Sequence, residues 1–167
     1  MKLKDLLESK YPLLRTPNAG EPLAYNIIGF HTTLTENWKS IRARGLIPGR
    51  SKPAGQDWAG AFSGKATYFH LALPLHELDS SIFDDELILF CIETRLHAYA
   101  GYFVPDEDVS TDLATTPEVI KDHGSVAVGY IIPPSEFICL HFADHPAARE
   151  FAGLHAGKFK VQFHNMN

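Results

Sequence analysis

Three stretches of the chain carry residue types that do chemistry, in an order that lets them act together. Phe30-His31-Thr32-Thr33 closes an apolar run and precedes a helical pattern. A histidine followed by hydroxyl residues at such a junction presents an imidazole and a hydroxyl to one ligand. Tyr68-Phe69-His70 lies in a second short apolar run, and Glu93 ends a third, Glu86 to Glu93 (ELILFCIE). Further carboxylates stand in the turn Asp106-Glu107-Asp108 and at Glu118. By type alone, a lone histidine or a strand aromatic more often serves packing, so order and separation must carry any functional reading. Other patterns fail. Gly60 to Lys65 (GAFSGK) is one residue short of a phosphate loop and has Ala66 where a magnesium-binding hydroxyl is required. His141 and His145 are four apart, but Pro146 and a strand-to-helix junction break the helical spacing that a shared metal needs, so no metal is expected. Cys91 and Cys139 sit in apolar stretches, where burial makes thiols inert, and no Gly-x-Ser-x-Gly is present.

The elements that must position these residues alternate between the two hydrophobic periods. Leu3, Leu6 and Leu7 predict a short amphipathic helix over residues 2–10, stopped at Tyr11-Pro12. Ala24 to Phe30 reads as a buried strand followed by a His-Thr-Thr turn. Thr35 then caps a helix that buries Trp38 and Ile41 and stops at Gly45. Residues 48–65 are rich in Gly, Pro and Ser and read as a long loop of functional type. Strands follow at residues 66–73, 86–93 and 125–132, the last ended by Pro133-Pro134. A helical turn is expected near residues 74–78 and a helix opening at Thr116-Pro117-Glu118. A helix over residues 144–155 and an alternating strand over 158–164 close the chain. About six strands against three or four short helices give an α+β fold.

The chain has 167 residues, 45% hydrophobic and 21% charged, enough to bury a core as a single domain over residues 1–167. Residues 1–23 form an N-terminal cover, 24–140 the core, and 141–167 a terminal helix and strand. No apolar run approaches the roughly 20 residues that cross a bilayer, and two cysteines make no disulfide framework, so a reducing, cytoplasmic setting with no membrane partner is expected. A net charge of −5 gives no broad positive field for nucleic acid. The one dense basic cluster, Lys39, Arg42, Arg44, Arg50 and Lys52, reads as a solvated helix face and loop.

The run GFHTTLTENWKSIRARGLIPGR resembles the opening motif of the ADP-ribosyltransferase superfamily: a strand, His-Gly-Ser/Thr, a helix with an inward Ile, then Gly-Leu. His31 and Thr33 fall on its histidine and hydroxyl, Ile41 on the inward position, and Gly45-Leu46 on the Gly-Leu. Thr32 replaces the glycine whose backbone binds the nicotinamide amide. A threonine can supply that contact if its side chain points away and its φ stays negative. Tyr68 matches the tyrosine that stacks on nicotinamide, and residues 124–134 match the third motif, with Ser125 or Val126 where a glutamate is usual.

The resemblance implies a split two-sheet core with NAD, the substrate, in the cleft, and no metal. It places His31, Tyr68 and Glu93 as catalytic residues, Glu93 standing in for the absent acid. His31, Thr32, Thr33, Gly45, Arg50, Tyr68, Phe69 and Ser125 bind the dinucleotide under the loop 48–65. The implied activity is cleavage of the nicotinamide–ribose bond and transfer of ADP-ribose to a protein or nucleic-acid acceptor. The alternatives are an RNA 2′-phosphotransferase-like enzyme, which shares Trp38, Ile41 and the run Phe69 to Ala72, and a non-catalytic NAD or ADP-ribose binding module. A protein-interaction scaffold with a vestigial cleft is a third possibility.

Overall fold

A computed structural model describes residues 26–48, 67–79, 88–97, 103–105, 124–128 and 131–166. Seven strands form one sheet: β1 (Asn26–Leu34), β2 (Thr67–His70), β3 (Leu89–His97), β4 (Phe103–Pro105), β5 (Ser125–Val128), β6 (Phe137–Ala143) and β7 (Val161–His164). Their order is β4-β5-β2-β1-β3-β6-β7. Every neighbouring pair is antiparallel except β6 and β7, which are parallel. The described helices are α1 (Trp38–Arg44), α2 (Leu75–Asp79) and α3 (Pro146–His155). The α+β class is as expected, with the two sheets joined into one.

The junction is narrow. β1 pairs with β3 along nine positions but with β2 only at Phe30 and His70. The sheet is therefore a four-stranded half (β1, β3, β6, β7) and a three-stranded half (β2, β4, β5) that meet at that one pair and part beyond it. This is the split the resemblance implies, seen as register.

One face of the sheet is apolar. Phe69, Phe90, Ile92, Leu140 and Phe142 are buried there, with the Phe90 and Phe142 rings stacked 5.3 Å apart. Ala148 and Ala152 of α3 let that helix lie close on them. Trp38 of α1 packs edge-on to Phe90, and its indole N–H donates to the His155 carbonyl at 2.9 Å, tying α1 to the end of α3. The other face buries Leu78 of α2 and Cys91, with Phe30 packed against them, and is otherwise rich in polar groups.

Several local expectations change. β1 runs on to Leu34, so His31, Thr32 and Thr33 lie in a strand and not in a turn. Pairing with Phe90 to Ile92 of β3 holds them extended. Thr35 opens a 3-10 turn, Thr35–Asn37, ahead of α1, and neither element has a side-chain cap. β4 and β6 are additional strands. The N-terminal helix, the loop beyond residue 48, the acidic turn from 106 and the helix near 116 lie outside the described residues.

Candidate functional site

Strand alternation decides which side chains meet. The Thr35 N–H donates to the Ile88 carbonyl at 2.9 Å, which makes 35 and 88 a hydrogen-bonded pair of the β1–β3 ladder. Such pairs alternate, so His31 and Thr33 direct their backbone groups to β3, and Thr32 directs its N–H and C=O to the opposite side, where β2 diverges. On β2, the Leu71 N–H donates to the Gly124 carbonyl at 2.9 Å. By the same alternation Tyr68 directs its backbone groups towards β1. Thr32 and Tyr68 would continue the β1–β2 ladder. Instead the His31 ring reaches across, its Nδ1–H donating to the Tyr68 carbonyl at 2.9 Å. The imidazole takes the place of a ladder bond at the point where the halves part.

A carbonyl only accepts, so Nδ1 carries the proton and Nε2 presents a lone pair. Burial lowers the His31 pKa below its ordinary value of 6.5, against the Tyr68 hydrogen bond and the Glu77 carboxylate, which both raise it. The folded chain thus keeps the ring neutral where the unfolded chain protonates it. Stability is full above about 6.5 and falls as pH drops from there towards the folded value. His164, also lowered by burial, acts in the same sense. A melting-temperature series from about pH 8 to about pH 5 should fall below 6.5 and be shallower in His31→Gln, whose amide keeps a donor but does not titrate. Equal slopes would remove His31 from this account.

His31 and Thr33 open onto a cavity of about 230 Å³ lined also by Asn37, Ser40, Ile41, Thr67 and the run Gly45-Leu46-Ile47. Asn37 is held in place by donating from Nδ2 to the Thr33 hydroxyl at 3.0 Å. The run 45–47 is fixed by a two-way backbone bridge between Leu46 and Ile132, at 2.9 and 3.0 Å. Gly45 has φ +82° and ends α1.

The far side of the split is polar. His70 pairs with Phe30 on one side and Ser125 on the other, so these three share a face, and two-residue alternation adds Thr32 and Tyr68. The buried Thr32 and Ser125 hydroxyls have no hydrogen-bond partner in the described structure. Glu77 of α2 reaches the same face beside them through His70, its Oε1 accepting from His70 Nε2 at 2.7 Å. That bond lowers the Glu77 carboxyl below its ordinary range, against burial. The Thr32 hydroxyl lies close enough to add to the effect while outside hydrogen-bond geometry.

The expected site residues therefore divide. His31, Thr33 and Gly45 line the cavity, and Tyr68 and Ser125 lie on the opposite face with Glu77. Thr32 has negative φ, as do all described non-glycine residues, and its side chain turns away from the cavity. Those are the two conditions for its backbone to bind a ligand. Phe69 differs from the expectation in its packing: at 1% exposure its side chain belongs to the core. Glu93 differs as well. It pairs with Phe30, which fills the row between it and His70, and its carboxylate is taken by His141 Nε2 at 2.7 Å. Arg50 lies outside the described residues. Arg42 and Arg44 are exposed on α1, bonded to the His155 carbonyl and the Ser40 hydroxyl. Glu77 is not among the residues expected from the sequence, and its signal is the Pro74 turn that folds residue 77 back over residue 70.

No family model matches the chain, and no curated protein matches it in sequence. Solved structures with a similar trace include DarT from Thermus sp. 2.9 in complex with carba-NAD+ (TM-score 0.49, 13% identity, 86% of this chain and 96% of that one). The same protein in complex with NAD+ gives a TM-score of 0.47 at 14% identity, over 90% of this chain and 98% of that one. Thermosipho africanus DarTG in complex with ADP-ribose gives 0.45 at 9%, over 81% of this chain and 49% of that one.

Proposed function

We propose that the protein is an NAD-dependent ADP-ribosyltransferase that breaks the nicotinamide–ribose bond and passes ADP-ribose to a protein or nucleic-acid acceptor. The observation that carries this reading is the split itself. It has a neutral imidazole at one mouth and, at the other, a carboxylate beside the buried Thr32 hydroxyl and bonded to His70, whose strand neighbour is Ser125.

The cavity beside α1 takes the adenosine end, with His31 Nε2 accepting from a ribose hydroxyl. The dinucleotide then follows the split, where the Thr32 backbone offers both a donor and an acceptor to the carboxamide and Tyr68 offers a ring face. Glu77 accepts from the 2′-hydroxyl of the nicotinamide-side ribose. As the C1′–N bond breaks, its electron pair leaves with neutral nicotinamide, and positive charge develops on the ribose, which the carboxylate stabilises. The acceptor then attacks C1′. Ser125 in place of an acid favours the binding-module reading, and Glu77 is the group that separates the two.

The test is NAD binding by calorimetry together with nicotinamide release. His31→Ala is expected to weaken NAD binding by about tenfold, the loss of one buried hydrogen bond worth about 1.5 kcal/mol. Binding without release would leave a reader of NAD. Failure of the folded wild-type chain to bind NAD would overturn the proposal.

A further inference from the structure

On the polar face, one strand away from the split, Glu93 of β3 lies directly across from Cys139 of β6, and His141 follows two residues on. The period of a strand turns Cys139 and His141 to the same side. A carboxylate oxygen, the Cys139 Sγ and a His141 ring nitrogen all lie within 4.8 Å of one another. His141 is fixed at both ends, Nε2 against Glu93 at 2.7 Å and Nδ1 against His164 Nε2 at 2.9 Å. The tilted His164 ring lies 5.1 Å from it, centroid to centroid.

We propose that Glu93, Cys139 and His141 form a divalent metal site, suited to zinc, with His164 as the positioning residue behind His141. The donor set argues for this class of ion. Thiolate with imidazole selects zinc over magnesium or calcium, and a carboxylate completes sets of this kind. Charge is consistent with this. Once bound, a divalent cation balances the thiolate and carboxylate that ligate it in a buried setting. Binding releases two protons to solvent, the Cys139 thiol proton and the His141 Nε2 proton shared with Glu93. His141 Nδ1 takes the proton of His164 Nε2, His164 Nδ1 takes one back from solvent, and His141 is left as the Nδ1–H tautomer donating to His164 Nε2. That outer hydrogen bond is the arrangement that orients ligating histidines. The His141 side chain is 6% exposed and that of Glu93 is 23%, so the site is walled by protein and opens past the carboxylate, where water supplies the fourth ligand. The sequence expectation of no metal rests on two cysteines being too few for a Cys-based zinc site and on the failed pairing of His141 with His145. His145 instead caps α3, its Nδ1 accepting from the Ala148 N–H, and the pairing that matters is Cys139-x-His141 along a strand.

Cobalt(II) reports the site directly, because a cysteine ligand gives a thiolate-to-cobalt charge-transfer band in the near ultraviolet. Titrating the metal-free full chain with Co²⁺ should give that band at one equivalent, and Zn²⁺ should bleach it. Cys139→Ser should abolish it, and Cys91→Ser, at the other buried thiol, should leave it unchanged. His164→Phe should retain the band and weaken zinc by about 10- to 100-fold, as outer-shell losses do. A folded wild-type chain without the band, or a band that depends on Cys91, overturns the site and leaves Glu93-His141-His164 as a hydrogen-bonded relay alone. The wild-type titration decides the matter even if a variant fails to fold.

Discussion

Replacing Glu77 by glutamine is expected to slow nicotinamide release from NAD by about 10²- to 10³-fold, the usual cost of removing one electrostatic stabiliser of a developing charge. NAD affinity should change little. Glutamine has nearly the same shape, and its amide oxygen can still accept from His70 Nε2, so α2 keeps its anchor to β2. What disappears is the negative charge facing the nicotinamide-side ribose, which matters most when that ribose turns cationic. The loss should therefore fall on kcat, whereas His31→Ala should fall on binding. The His70 bond holds the Glu77 carboxyl below its ordinary value of 4.5, so it is ionised throughout the neutral range and no acid limb should enter the rate above about pH 5. Release by Glu77→Gln equal to wild type, with binding intact, would place the acid elsewhere.

The contrast with Glu93 shows what was legible in the sequence. β1, α1 and the glycine stop could be read because each rule is local: an apolar run, a buried Trp38 and Ile41 at helical spacing, and a positive φ at Gly45. β6 carries no alternating strand signal. Helix α3 covers one of its faces and α2 approaches the other, so Phe137 to Ala143 is almost continuously buried and the two-residue alternation is lost. Choosing among the carboxylates needed strand order. Glu93 ends the strongest apolar run, but β1 and the Phe30 side chain stand between it and the split. Glu77 sits on a five-residue helix with no pattern of its own, and only the chain reversal at Pro74 brings it over His70. The single β1–β2 pair is likewise invisible in either strand alone. It follows from an imidazole occupying the place of a backbone bond.

Gly45→Ala is expected to destabilise the fold by about 3 kcal/mol or more, roughly 6 to 12 °C in melting temperature for a chain of this size. Two costs combine. At φ +82° and ψ −172° an alanine is strained, and its Cβ would fall on the Ile132 carbonyl oxygen. That oxygen accepts from the Leu46 N–H at 2.9 Å, and the Ile132 N–H returns a bond to Leu46 at 3.0 Å, so relieving the clash means opening the bridge. Gly157→Ala separates the two costs. Its φ is +60°, but a Cβ there meets only the Arg42 side chain at 3.9 Å, so strain acts alone and about 1 kcal/mol is expected. Because Gly45, Leu46 and Ile47 form one wall of the cavity, the same substitution should weaken NAD binding at temperatures where the chain is still folded. A Gly45→Ala chain melting no lower than Gly157→Ala would show that the bridge yields without cost and does not set the position of that wall.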